Sequence, residues 1–183
     1  MKQLIAGVIG LFFISTAALS QSKYKADEGM VSFFSSAPLE DIYAENKTVV
    51  SLVDLSTREI AFVITIVDFQ FEKSLMQTHF NDKYMESHKY PKATFLGNII
   101  SPNELKNPGN YKVKVKGDLT IHGVIQNIEV DGEIIIGEAE VEASSEFTVK
   151  LEDYKVKIPR LLVRNIAEEV LVKINLTYYP VQP

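Results

Sequence analysis

The chain contains no cysteine. That excludes disulfides, thiolate nucleophiles and a lipid-modified cysteine behind an export signal, so apolar burial has to hold the core. Histidine is scarce: His79, His88 and His122 are the only three. Their spacing fits no zinc pattern such as HExxH. A structural or solvent-facing role suits each better, and only an approach of His79 to His88 across a loop would offer a metal two ligands. Ser74, Ser87, Ser144 and Ser145 lack the G-x-S-x-G setting of a nucleophilic serine. No glycine-rich phosphate loop, internal repeat or low-complexity tract occurs. The acidic stretch from Glu138 to Glu146 alternates with apolar residues, which marks a solvated strand face rather than a carboxylate pair. With a formal net charge of −5, nucleic acid is excluded as a partner. No catalytic residue, metal ligand or cofactor is assigned, and the reading is that the protein is not an enzyme.

Long apolar runs are also missing, with one exception. Met1-Lys2 gives a short positive start, Leu4 to Ala18 is apolar, and Ala18-Leu19-Ser20 ends in small residues. This is the pattern of a secretory signal peptide cleaved after Ser20, and the run falls short of the roughly 20 residues of a membrane span. The expected organisation is a signal peptide over residues 1–20 and one domain over 21–183, located in the periplasm or secreted. At 46% hydrophobic and 23% charged, that domain has the composition of a globular protein, long enough to bury a core.

What is present is β-strand alternation. Tyr111, Val113 and Val115 alternate with Lys112, Lys114 and Lys116, and the apolar face resumes at Leu119 and Ile121 after Gly117. A long strand kinked by a glycine suits a curved sheet or a barrel wall. Further strands are expected at Met30 to Phe34, Val49 to Asp54, Glu59 to Val67, Ala93 to Ile100, Ile128 to Ile136, Glu138 to Leu151 and Val170 to Tyr178. Leu55-Ser56-Thr57-Arg58 and Gly137 mark hairpin turns. Leu75, Met76, His79 and Phe80 recur at helical spacing, predicting a short amphipathic helix over Glu72 to Asn81 that covers one side or end of the sheet. The acidic outer face of the Glu138 to Leu151 strand complements the lysines of the Tyr111 strand, which marks the two as expected partners. The fold class is all-β: an antiparallel barrel of about eight strands, with one short helix after the fourth or so. A barrel of this size is either just filled by its side chains or just able to hold one small ligand.

Two stretches in combination carry a family resemblance. His79-Phe80-Asn81 leads through Tyr84-Met85 to Lys89-Tyr90-Pro91-Lys92-Ala93-Thr94-Phe95, and Tyr111 to Gly123 ends in GDLTIHG. Their order and spacing resemble the YceI family of exported polyisoprenoid-binding proteins, over essentially the whole mature chain. The resemblance implies a lipocalin-like antiparallel barrel with an apolar channel for an isoprenoid chain, and no catalytic residues to carry over. One departure is the compact stretch Ser35 to Ile42, where family members have a longer first hairpin, a difference that bears on channel length.

Candidate channel-lining residues are those on the apolar faces. They are Phe62 and Ile64, Phe95, the four residues Val113, Val115, Leu119 and Ile121, then Phe147 and Val149, Ile174 and Leu176, with Met76 and Phe80 from the helix. The leading function is carriage of an apolar isoprenoid lipid, a polyisoprenoid or isoprenoid quinone, with a peripheral membrane encounter compatible with it. The alternatives are an interaction module whose barrel is solid, and a lipid-modifying enzyme using His79 or His122. The sequence leaves the oligomeric state open.

Overall fold

The computed structural model describes residues 22–26, 29–36, 40–158 and 167–181. The expected signal peptide, the Ala37-Pro38-Leu39 interruption and the connection from Pro159 onward lie outside these residues. The strands are β1 (Lys23–Ala26), β2 (Gly29–Ser35), β3 (Ile42–Asn46), β4 (Val50–Asp54), β5 (Glu59–Thr65) and β6 (Gln70–Phe71) in the first half. In the second half they are β7 (Lys92–Ile100), β8 (Gly109–Ile121), β9 (Val124–Ile136), β10 (Val141–Lys150) and β11 (Glu169–Pro180). Helix α1 (Ser74–His79) stands between β6 and β7.

All pairings are antiparallel, and the sheet closes on itself through β1 and β11. The register shows why eleven segments make an eight-strand barrel. Lys23↔Asp54 at one end and Ser35↔Ile42 at the other belong to one continuous hairpin, so β1–β2 and β3–β4 are two broken staves. β5 and β6 form a third, interrupted by a 3-10 turn at Ile66–Asp68. Consecutive staves are neighbours throughout, which is the up-and-down order of small ligand-binding barrels. The breaks in the first staves explain why the Ile42–Asn46 strand and the short β1 were not legible from alternation. The helix accordingly follows the third stave.

β8 runs through Gly117 without interruption. Gly117 stands directly opposite Gly97 of β7, and its φ is not positive. What the glycine permits is close approach of two backbones, not the kink expected of it.

Two expectations are corrected. The lysine face of β8 is matched not by β10 but by the intervening β9, through Lys112↔Glu133, Lys114↔Asp131 and Lys116↔Glu129. Lys114 Nζ lies 3.3 Å from both Glu129 and Asp131. The acids of β10 instead face β11, where Lys173 pairs with Glu146 at 2.8 Å. Within α1, Leu75 is 65% exposed and is not on the covered face, which consists of Met76, His79 and the following Phe80. Six residues make too few turns for a broad apolar stripe, and a π turn over Phe80–Tyr84 then redirects the chain.

The barrel interior has two halves. At the end where the β4–β5, β7–β8 and β9–β10 turns gather, it is solid. Tyr178, Ile99, Val141, Leu176 and Leu105 are all buried there. Tyr178 is fully enclosed. Its hydroxyl lies 2.7 Å from Ser51 Oγ, which itself donates to the Ala61 carbonyl at 2.8 Å. The serine hydrogen being used, the tyrosine donates, and this chain satisfies the polar atoms of an otherwise apolar layer. Burial drives the Tyr178 phenol well above its ordinary range.

Candidate functional site

The other half of the barrel is hollow. An apolar cavity of about 370 Å³ lies between the solid layer and the end capped by α1, the π turn and the segment after β10. This volume falls within the range of about 300–1,000 Å³ typical of small-molecule sites. The cavity exists because inward residues on β8 to β11 alternate strictly along long strands, so every second side chain projects inside, yet those near the capped end do not reach across.

Twelve of the expected residues border it: Phe62, Ile64, Met76, Phe80, Phe95, Val113, Val115, Leu119, Ile121, Phe147, Val149 and Ile174. Leu176 does not border it. It points inward like Ile174, but one layer deeper, where it is 3% exposed and fills the space left by Gly29. A Cβ on Gly29 would lie 2.1 Å from the leucine methyl. Inward direction follows from strand periodicity; depth along the barrel does not.

The cap holds the residues that alternation alone did not reveal. Phe33 of β2, Phe69, Phe71 of β6 and Phe80 form a cluster with ring centroids 5.0–5.9 Å apart, Phe33 and Phe80 nearly stacked and the others tilted or edge-on. Phe69-Gln70-Phe71 alternates, a signal that could have marked it, but over too short a run to be read as a strand. Below this cluster Phe62 and Phe95, register partners on β5 and β7, meet edge-on at 5.9 Å. Such aromatic pairs contribute about 0.5–1.5 kcal/mol beyond their burial. On the far side, Tyr154 and Val156 fold inward after β10 and complete the wall. The β9–β10 ladder ends at Gly132↔Ser145, so this segment closes a place where the wall has no further pairing.

Polar groups at the cavity are few. Ser145, the one inward hydroxyl of β10, is satisfied by donating to the Asp131 carbonyl at 2.7 Å. Among the described residues, the charged or titratable groups lining the space are Glu40, His79, Tyr84, Glu133 and Tyr154, with no lysine or arginine. Glu40 is ion-paired with Lys73. Burial raises the Tyr84 phenol and pushes that of Tyr154 up to about 12, with Asp153 adding to the latter, so both stay neutral.

The histidines divide as follows. His79 lines the cavity. His122 is at the tip of the β8–β9 hairpin, with Nε2 2.9 Å from Glu86 Oε2 and Nδ1 3.3 Å from the Tyr154 carbonyl. Its ring packs edge-on against Tyr90 at 4.4 Å. No group of three or more potential metal ligands occurs among the described residues.

Comparison with known proteins agrees with this geometry. The YceI-like domain family matches residues 17–178. No curated protein matches the chain. Among solved structures, a polyisoprenoid-binding domain from Saccharophagus degradans implicated in plant cell wall breakdown is 17% identical, with a TM-score of 0.74 over 88% of this chain and 99% of that one. Burkholderia cenocepacia BcnA is 20% identical, with a TM-score of 0.70 over 81% of this chain and 95% of its own. The Campylobacter jejuni YceI protein is 18% identical and aligns over 100% of both chains with a TM-score of 0.56. These likenesses establish a shared fold. With a family match spanning most of its length, this chain belongs to the YceI-like domain family.

Proposed function

We propose that this protein is a non-enzymatic carrier of an apolar isoprenoid lipid, exported by its N-terminal segment and working in the bacterial envelope. The observation that carries the reading is the apolar cavity of about 370 Å³ inside half of the barrel. Each buried CH₂ of a ligand contributes roughly 0.8 kcal/mol, so a few isoprene units inside such walls bind tightly with little need for polar contacts. The binding named for the Saccharophagus degradans relative supports the same ligand class here by analogy of fold, which by itself does not determine function.

The polar inventory narrows the head group. A lipid phosphate would need a cation, and no lysine or arginine lines the cavity among the described residues. A neutral head, such as a quinone ring or a free alcohol, suits His79, Tyr84 and the Glu40 rim. The pattern of residues 1–20 supports export, and the absence of cysteine is compatible with an envelope location. Solvent extraction of the protein purified from its native membranes, followed by mass spectrometry, tests the reading. Recovery of a neutral isoprenoid in near-equal amount with the protein is expected, and a consistently lipid-free protein overturns it.

A further inference from the structure

We infer that His122 is a proton-dependent latch that ties together the two capping segments of the cavity. Its functional consequence rests on the carrier reading above, but its chemistry does not.

Two non-glycine residues with left-handed backbone, His122 at φ 51° and Glu86 at φ 44°, face each other here. Such conformations are uncommon for residues with a Cβ and persist where surrounding contacts hold them. The His122 side chain is 10% exposed. Tyr90 packs on its ring and also covers Gly123, where a Cβ would come 2.6 Å from the tyrosine ring. The imidazole is therefore held in place, and both of its nitrogens meet acceptors: the Glu86 carboxylate and the Tyr154 carbonyl. A neutral imidazole carries one N–H and can donate to only one of them; the imidazolium carries two and serves both.

The two acceptors belong to different parts of the cap. Glu86 follows Tyr84 and Met85, and Tyr154 lies between Leu151 and Val156; all of these neighbours line the cavity, as does Tyr154 itself. From the loop after the π turn, the charged or titratable groups around the site are Glu86, His88, Lys89 and Tyr90. Lys89 lies 4.8 Å over the Tyr90 ring and acts on Glu86. From the segment after β10 they are Asp153 and Tyr154, the Asp153 carbonyl being held by Gln126 at 2.8 Å. The His122 hydrogen bond keeps the Glu86 carboxyl below its ordinary range, so it remains an anionic acceptor across the neutral range. Loss of a proton from the imidazolium leaves one contact without a donor. The Tyr154 carbonyl, at the longer distance, is the one released, and the segment lining the far wall loosens.

The test uses the mature protein and the neutral apolar dye N-phenyl-1-naphthylamine, with its dissociation followed by stopped-flow between pH 5.5 and 8. Release about fivefold faster at pH 8 is expected, the equivalent of one ordinary hydrogen bond. His122→Asn, which tolerates the left-handed backbone, releases the dye quickly at both pH values. Glu86→Gln leaves the histidine turn unchanged and flattens the pH dependence, so it serves if the first variant fails to fold. PH-independent release by the wild type, or an unchanged pH slope in both variants, overturns the latch. Nitrogen-15 NMR of the ring and amide exchange at Tyr154 and Val156 need no ligand. Two ring N–H signals at pH 5.5, with faster exchange at pH 8 after correction for intrinsic rates, support the latch, and a single-N–H ring at pH 5.5 overturns it. Failure of the dye to bind at any pH counts against the carrier reading alone, because the NMR outcome still decides the latch.

Discussion

Gly97 and Gly117 face each other across β7 and β8, and a Cβ on Gly117 would lie 2.3 Å from the Leu96 carbonyl oxygen and 2.5 Å from the Gly97 Cα. Both contacts are to backbone, which cannot swing aside as a side chain could. The ring of Phe95 occupies the space over Gly97, within 2.7 Å of where its Cβ would be. The glycine pair thus lets two strands approach and the Phe95 ring pack over Gly97. Gly117→Ala is expected to lower stability by about 1–3 kcal/mol, the usual cost of overpacking, measured by urea denaturation.

Neighbouring inward residues on β11 should respond differently. Leu176→Ala opens a void in the solid half and is expected to cost about 2–5 kcal/mol. Ile174→Ala, beside a space that is already hollow, loses fewer contacts and should cost at least about 1 kcal/mol less. Equal losses in paired denaturation curves would show that the interior is packed at both levels.

Val115→Trp projects an indole into the cavity. Because space is available, a stability change within about 1 kcal/mol is expected, in place of the overpacking penalty of a filled core. Binding of N-phenyl-1-naphthylamine, read by fluorescence titration, should fall at least about tenfold as the ring occupies the ligand volume.

Tyr178→Phe removes the donor to Ser51 Oγ while leaving the serine bonded to the Ala61 carbonyl. A loss of about 0.5–1.5 kcal/mol is expected. Dye affinity should be unchanged, since Tyr178 lies in the solid layer outside the cavity lining. A large change in affinity would mean that the two halves are coupled.

Acid should weaken the fold through two carboxylates. Asp54 is held below its ordinary range chiefly by the Ser56 hydroxyl, then by the Ser56 and Thr57 amides, and Glu86 chiefly by His122. A depressed carboxyl stabilises the fold above its unfolded pKa and loses that contribution as pH falls through the folded one. The sensitive window is therefore below about pH 4. Asp54→Asn is expected to lower the melting temperature at pH 7 by a few degrees. The difference from wild type should shrink as pH falls below the ordinary carboxylate range.

Fold class was legible because β8 to β11 are long and alternate cleanly, and period-two patterning specifies which side chains face inward. The same patterning selected twelve of the residues that border the cavity. It failed where staves are broken: β1, β3 and β6 are too short for a periodic signal, so Phe71 escaped notice, along with Phe33 and Phe69 beside it. It also misassigned the partner of the β8 lysines, because β9 and β10 are both acidic on their outer faces and charge alone does not reveal which is adjacent.

The sequence by itself determined the inward and outward faces, the run of antiparallel hairpins and the near absence of polar chemistry inside, since each follows from residue type and local periodicity. Tertiary structure decided the rest. Whether Ile174 borders a cavity and Leu176 a solid core depends on what the opposite staves contribute at each depth, and whether His122 has one acceptor or two depends on segments 36 and 32 residues away. Local alternation carries no information about depth or about such meetings, because both are set by how eight staves close around a common axis.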